Sequence, residues 1–410
     1  MSNRRGTSQR KTLGTLLGLI LIVIIGFVTT LTGYDAGNVP LPGAENATGL
    51  PPQSPSEFAP PADTSIAPLP TAQPPGGLWW EVYFTDRLTI NDPAQWQNSI
   101  EGALIQQINA AQNAIHIAAF EFNLTPVAEA LIAARQRGLD VRWVTDDEYG
   151  LEADDEPGRG QFAALQNAGI EIRSDNRSAL MHNKFIIFDY QTVWTGSTNL
   201  TQNGIFKQEN NALVLHSPEV AAIYEREFQE MWDGQFGPKS PSQLSEQSVN
   251  VNGTQIWVVF TSEDAALAQA IIPIVNFAQS NIRFLAFSFT DYPLASAMIE
   301  RARNGVNVAG VYETVGSDTD AAEFDTLICA GVPVRRDGNP GFMHNKVIIV
   351  DSRFVITGSF NFSTSAEESN DENIIILDNP EIAALYMREF DNIWSRGGRP
   401  GAGVDPLPVV

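Results

Sequence analysis

Two stretches of the chain carry the same polar residues at the same spacing. The first holds His182, Lys184, Asp189, Gly196, Ser197 and Asn199; the second holds His344, Lys346, Asp351, Gly358, Ser359 and Asn361. Both read His-x-Lys-x4-Asp-x6-Gly-Ser-x-Asn. With each specified position drawn at a background of about 5%, one such match has odds on the order of 10⁻⁸ per starting point, so two are not chance. The two copies also use two of the four histidines in the chain.

These residue types suit phosphoryl chemistry. A His and a Lys two apart on a strand project from the same face. The ammonium neutralises phosphate oxygens as a compact charge. The Ser hydroxyl and Asn amide that follow a tight Gly turn are neutral donors to the same oxygens. Preorganised donors of this kind contribute about 3–4 kcal/mol each where charge develops. One histidine can attack phosphorus and hold a covalent intermediate while the other protonates the leaving oxygen. That assigns His182, Lys184, Asn199, His344, Lys346 and Asn361 to catalysis. Lys184, Ser197, Asn199, Lys346, Ser359 and Asn361 are the expected phosphate ligands.

Protonated lysine is no metal ligand, and no acidic cluster stands beside the motif histidines, so neither a metal nor a cofactor is expected. Cys329 is the one cysteine, which excludes an intrachain disulfide and a Cys-rich zinc site. Glu209 and Glu372 follow the motif asparagines by ten and eleven residues. A carboxylate on the far ring nitrogen would fix the histidine tautomer and support its charge; the alternative is a pair of surface glutamates at a strand rim. Asp189 and Asp351 end their strands at turns and read as structural. His116 and His216 also read as structural, and the acidic run 146–156 as a solvated loop.

The elements that must position these residues are written twice. AAFEF at 118–122 matches LAFSF at 285–289, and FAALQNAGIEIRSDN at 162–176 matches FDTLICAGVPVRRDG at 324–338. EVAAIYEREFQEMW at 219–232 matches EIAALYMREFDNIW at 381–394. His182 to His344 and Trp232 to Trp394 are both steps of 162 residues. Each half reads strand, helix, strand, helix, strand, then a strand pair around the motif and a closing helix. The expected fold is therefore α/β: two pseudo-symmetric halves, each a mixed sheet flanked by helices, with the site between them and the chain a monomer. The halves are placed at 78–240 and 241–396, with a flexible tail at 397–410. Phe228 with Trp232 and Phe390 with Trp394, at i,i+4, read as core anchors.

Ahead of the halves, Arg4, Arg5, Arg10 and Lys11 precede an uncharged apolar run inside residues 1–33. A helix over Leu13–Leu31 would be roughly 28 Å long, near bilayer thickness. With basic flanks on one side, it reads as a membrane anchor, or as a signal segment that would release a secreted protein, with the rest exported. Residues 34–77 hold eleven prolines and read as an extended linker. The net charge of −23 repels polyanions, which disfavours nucleic acid as a partner, although screening leaves room for a local positive site that takes a phospholipid or other phosphodiester.

The double motif resembles the phospholipase D superfamily, and the resemblance covers the chain from about residue 80 to 396. It implies a two-step, metal-free mechanism through a phosphohistidine. Precedent in two-repeat members implies His182 as nucleophile and His344 as general acid, although the near-identity of the motifs leaves the order open. The implied function is head-group cleavage or transfer on phospholipid. A cardiolipin synthase-like phosphatidyl transferase is a variant, although that family usually shows two N-terminal membrane helices. An extracellular endonuclease is the rival reading, and it lacks a basic stripe for the nucleic-acid backbone. A non-catalytic binding module would not need both motifs intact.

Overall fold

A computed structural model describes residues 78–86 and 91–398. The expected anchor or signal segment 1–33, the linker 34–77 and residues 399–410 of the expected tail lie outside the described residues. Among the described residues no helix is long and apolar enough to cross a membrane.

The apolar runs become two mixed sheets. The first has seven strands ordered β1-β7-β6-β5-β2-β3-β4. They are β1 Trp80–Phe84, β2 Ala114–Ala119, β3 Asp140–Thr145, β4 Glu171–Ser174, β5 Lys184–Phe188, β6 Thr192–Gly196 and β7 Asn211–His216. The second has eight, ordered β12-β11-β10-β13-β14-β15-β9-β8. They are β8 Ser248–Val251, β9 Thr254–Thr261, β10 Asn281–Ala286, β11 Asn307–Tyr312, β12 Val334–Arg336, β13 Lys346–Val350, β14 Phe354–Gly358 and β15 Glu372–Asp378. Parallel pairs β2–β3–β4 and β10–β11–β12 need crossovers. Helices α1 Thr125–Gln136, α2 Gln161–Asn167, α3 Tyr292–Arg303 and α4 Phe324–Cys329 lie in those connections.

KFIIF of β5 and KVIIV of β13 are buried along their whole length, as central strands covered on both faces must be. Two outer cores fill the space between each sheet and its own helices. A third core is shared. It joins Phe185, Tyr224 and Phe228 of the first half to Phe260, Val347, Tyr386 and Phe390 of the second. The closing helices Pro218–Trp232 (α5) and Pro380–Arg396 (α6) supply its middle layer. Each opens on a side-chain cap, Ser217 or Asn379, with Pro at its first position. Phe228 stacks on Trp232 and Phe390 on Trp394, both at 5.6 Å between ring centroids.

Asp189 and Asp351 act as paired clamps. Asp189, in the left-handed region at φ 53°, accepts from the backbone N–H groups of Gln112, Asn113 and Ala114 at 2.6–3.1 Å. Asp351 does the same for Gln279, Ser280 and Asn281 at 2.7–3.1 Å. Each carboxylate thus pins the start of the strand, β2 or β10, beside the motif strand.

Candidate active site

The motif lysines open β5 and β13, but the histidines sit two residues earlier, outside the strands. The spacing had suggested one strand face for both. The reason is a crossing of backbone between halves. His182 N–H donates to the Asp371 carbonyl at 2.9 Å, and His344 N–H donates to the Glu209 carbonyl at 2.8 Å. Met181 bridges Asp371, and Met343 bridges Glu209. These short bridges draw the two motifs to one place at the seam. Asn183 accepts from Asn373 at 2.9 Å and Asn345 from Asn211 at 2.7 Å, which repeats the crossing in side chains.

The histidine partners differ between halves. His182 Nδ1 lies 2.7 Å from Glu372 Oε2. His344 Nδ1 lies 2.9 Å from Asn210 Oδ1 and 3.2 Å from the Ser197 carbonyl. Glu209 takes no matching place beside His344; its carboxylate pairs with Arg396 at 2.8 Å. Its true counterpart is Asp371, one residue before Glu372 and paired with Arg177. A step of 162 from Asn210 lands on Glu372, so residue type, read without the register, paired the wrong glutamate.

The motif serines also lie elsewhere than expected. Both are fully buried. Ser197 Oγ donates to Asn210 Oδ1 at 2.9 Å and accepts from Asn211 N at 3.1 Å. Ser359 Oγ accepts from Asn373 N at 3.0 Å and hydrogen-bonds Glu372. Each hydroxyl therefore orients the residue that holds a histidine and has no capacity left for phosphate. The turns that set them use Gly196 at φ 138° and Gly358 at φ 145°, where a Cβ would meet the Asn211 or Asn373 carbonyl at 2.4 or 2.1 Å.

Lys184 Nζ donates to the His182 carbonyl at 2.8 Å, and Lys346 Nζ to the His344 carbonyl at 2.9 Å. Each ammonium keeps two further protons. Asn199 donates Nδ2 to Glu121 at 3.3 Å. The Oδ1 atoms of Asn199 and Asn361 are buried without partners. Phe120 and Phe287, not singled out in the sequence, wall the site. Their rings meet His182 and His344 edge-on at 4.9 and 4.6 Å and lie under Lys184 and Lys346 at 5.2 and 4.7 Å. Their place in AAFEF and LAFSF was visible, but an apolar residue ending a strand reads as core.

Burial sets the electrostatics of the site, and crowded cations add to it. Burial pushes His182 well below the usual histidine value, and Lys184 and Lys346 push it further. Burial, then Lys346, Lys184 and His182, do the same to His344. Burial brings Lys184 down to about 8 and Lys346 well down, with Lys184 adding to the latter. Burial raises Glu372 to about 7 against the pull of Lys184. A phosphodiester anion entering here would meet concentrated positive charge that a bare site holds at a penalty. By contrast, His116 stacks on Phe228 at 4.6 Å and pairs with Glu225 at 2.9 Å, and His216 pairs with Glu81 at 2.9 Å; neither belongs to the site.

Comparison with known proteins gives a consistent family. The family model "Cardiolipin synthase, PLD-like domain" matches residues 104–232 and 271–394. The mitochondrial cardiolipin hydrolase of Xenopus laevis is 33% identical over 131 residues, 32% of this chain and 62% of that protein. The human protein of the same name is 34% identical over 119 residues, 29% of this chain and 47% of that one. A phospholipase D of Rickettsia bellii is 32% identical over 124 residues, 30% of this chain and 62% of that one. The chain thus spans roughly half to three-fifths of the length of these relatives. The phosphatidylserine synthase of Haemophilus influenzae shares the two-half fold, with a TM-score of 0.58 at 14% identity over 78% of this chain and 87% of that one.

The same names correct the expectation of export. The cardiolipin hydrolases are named for mitochondria, not for the cell exterior. A basic-flanked apolar run carries hydrophobicity and a charge asymmetry, and neither property names a compartment. With matches across both halves, the chain belongs to the phospholipase D-like family described as cardiolipin synthase, PLD-like domain.

Proposed function

We propose that the chain is a phospholipase D-type phosphodiesterase that cleaves or transfers phospholipid head groups through a phosphohistidine on His182. The observation that carries this reading is the unequal pair of histidine partners, Glu372 on His182 and Asn210 on His344. Glu372 on Nδ1 leaves Nε2 as the attacking atom and stabilises the cationic ring once phosphorus is bound. A neutral amide gives His344 no such support, so its imidazolium yields its proton readily.

In the first step His182 Nε2 bonds to phosphorus, the bond to the leaving alcohol breaks, and His344 donates a proton to that oxygen. In the second step water, or another alcohol, gives a proton to His344 and attacks phosphorus, which frees His182. Lys184, Lys346 and the Asn199 and Asn361 amides hold the phosphoryl oxygens throughout. This sequence draws its positive charge from the lysines and requires no metal. Phospholipid is favoured over nucleic acid by the net charge of −23 and by relatives named cardiolipin hydrolase and phospholipase D.

The test offers mixed phospholipid vesicles and single-stranded DNA separately to the full chain in EDTA, with His182→Ala and His344→Ala alongside. Head-group release lost in both variants is expected. DNA cleavage with the same sensitivity, and no lipid turnover, would replace this reading with the nuclease.

A further inference from the structure

Away from the motifs, α5 of the first half and the turn after β9 of the second bring carboxylates together. Carboxylate oxygens of Glu227, Glu230 and Glu263 all lie within 4.8 Å of one another. With Gln243 and Gln247 they line a cavity of about 10 Å³, room for roughly one water-sized particle. Acidic side chains alone do not make a site, but Gln247 adds an independent feature. It is 4% exposed, and its amide hydrogen-bonds the Asp264 carboxylate. That bond takes the N–H end and turns Oε1 away, where it is buried without a partner. Glu230 Oε2 and Glu263 Oε2 are likewise buried and unpartnered. Arg226, which borders the same cavity, gives its Nη2 to the Glu246 carbonyl at 3.1 Å.

The donors are hard oxygens only. Calcium takes six to eight such ligands at about 2.3–2.6 Å, which sets ligand oxygens up to roughly 5 Å apart across the ion. Zinc favours nitrogen and sulfur donors, which are absent from this group of residues. We propose that Glu227, Glu230, Glu263 and the side-chain oxygen of Gln247 bind one calcium ion that ties the closing helix of the first half to β9 of the second.

The test titrates CaCl2 into EDTA-stripped full-length protein at neutral pH, by calorimetry and by thermal unfolding. One saturable site and a Tm that rises with calcium are expected. Glu263→Gln and Gln247→Leu should each weaken binding at least tenfold. Glu263→Gln keeps the size and a side-chain oxygen while removing the ionisable group, so its calcium-free Tm should match that of the parent, which separates lost binding from misfolding. Asp147→Asn, in another acidic cluster, should bind as the parent does. No saturable binding, binding unchanged in both site variants, or an equal response to MgCl2 would overturn the proposal.

Discussion

Glu372 and Asn210 stand at equivalent positions of the two halves, and each holds the Nδ1 of the opposite half's histidine, at 2.7 and 2.9 Å. The repeat supplies a symmetric frame, and this difference of side chain gives the two histidines unequal partners. It also makes the site a property of both halves, since neither histidine finds its partner within its own repeat.

Glu372→Gln keeps an acceptor near Nδ1 but removes the charge that supports a cationic His182. Turnover should fall about 10²–10⁴-fold, the range for a lost acid–base partner, with a smaller change in KM. Steady-state kinetics on a short-chain phospholipid checks this. A loss confined to KM would mean that Glu372 serves binding alone.

The converse change, Asn210→Asp, places a carboxylate on His344. A close anion favours the imidazolium, so the His344 value should rise. The general acid must be protonated, so the alkaline limb of kcat/KM should move to higher pH. An unmoved limb would show that His344 does not donate the proton.

Covalent trapping separates the two histidines. With a labelled diester bearing a good leaving group, which needs little protonation to depart, His344→Ala should still form the phosphoenzyme and then hydrolyse it slowly. His182→Ala should form none. Label retained in the His182 variant would reverse the assignment.

The histidines, lysines and asparagines were legible because a rare polar pattern occurred twice in register. So was the fold class, from buried strands alternating with amphipathic helices. Asn210 was missed because an amide does not titrate and draws no notice beside two glutamates. The offset of 162 already paired it with Glu372. The serines misled because a hydroxyl after a Gly turn suits phosphate and buried positioning equally, and only its neighbours decide. The displacement of the histidines from their strands depends on bridges to the other half, which no local pattern encodes.

Lys184 falls to about 8 through burial and must be protonated to hold a phosphoryl oxygen. A phosphodiester stays monoanionic across this range, so the change lies in the protein. KM should therefore rise as pH climbs through about 8, approaching tenfold per unit. Lys184→Gln should raise KM at pH 7 and flatten that dependence. A KM constant from pH 7 to 9.5 would place the phosphate elsewhere.

The shared core makes the site's integrity depend on packing between halves. Phe260 of β9 is 1% exposed and meets Tyr224 edge-on at 5.5 Å and Phe185 at 6.4 Å, both from the first half. Phe260→Ala opens a cavity at that seam and should destabilise the protein by about 3–5 kcal/mol. The strands that carry Lys184 and Glu372 line the same core, so the loss should not be confined to one half. Urea unfolding followed by tryptophan fluorescence and by far-UV circular dichroism should give coincident transitions, both shifted to lower urea. Two separated transitions would mean that each half is stable alone, and that the His182–Glu372 contact can open while both sheets remain folded.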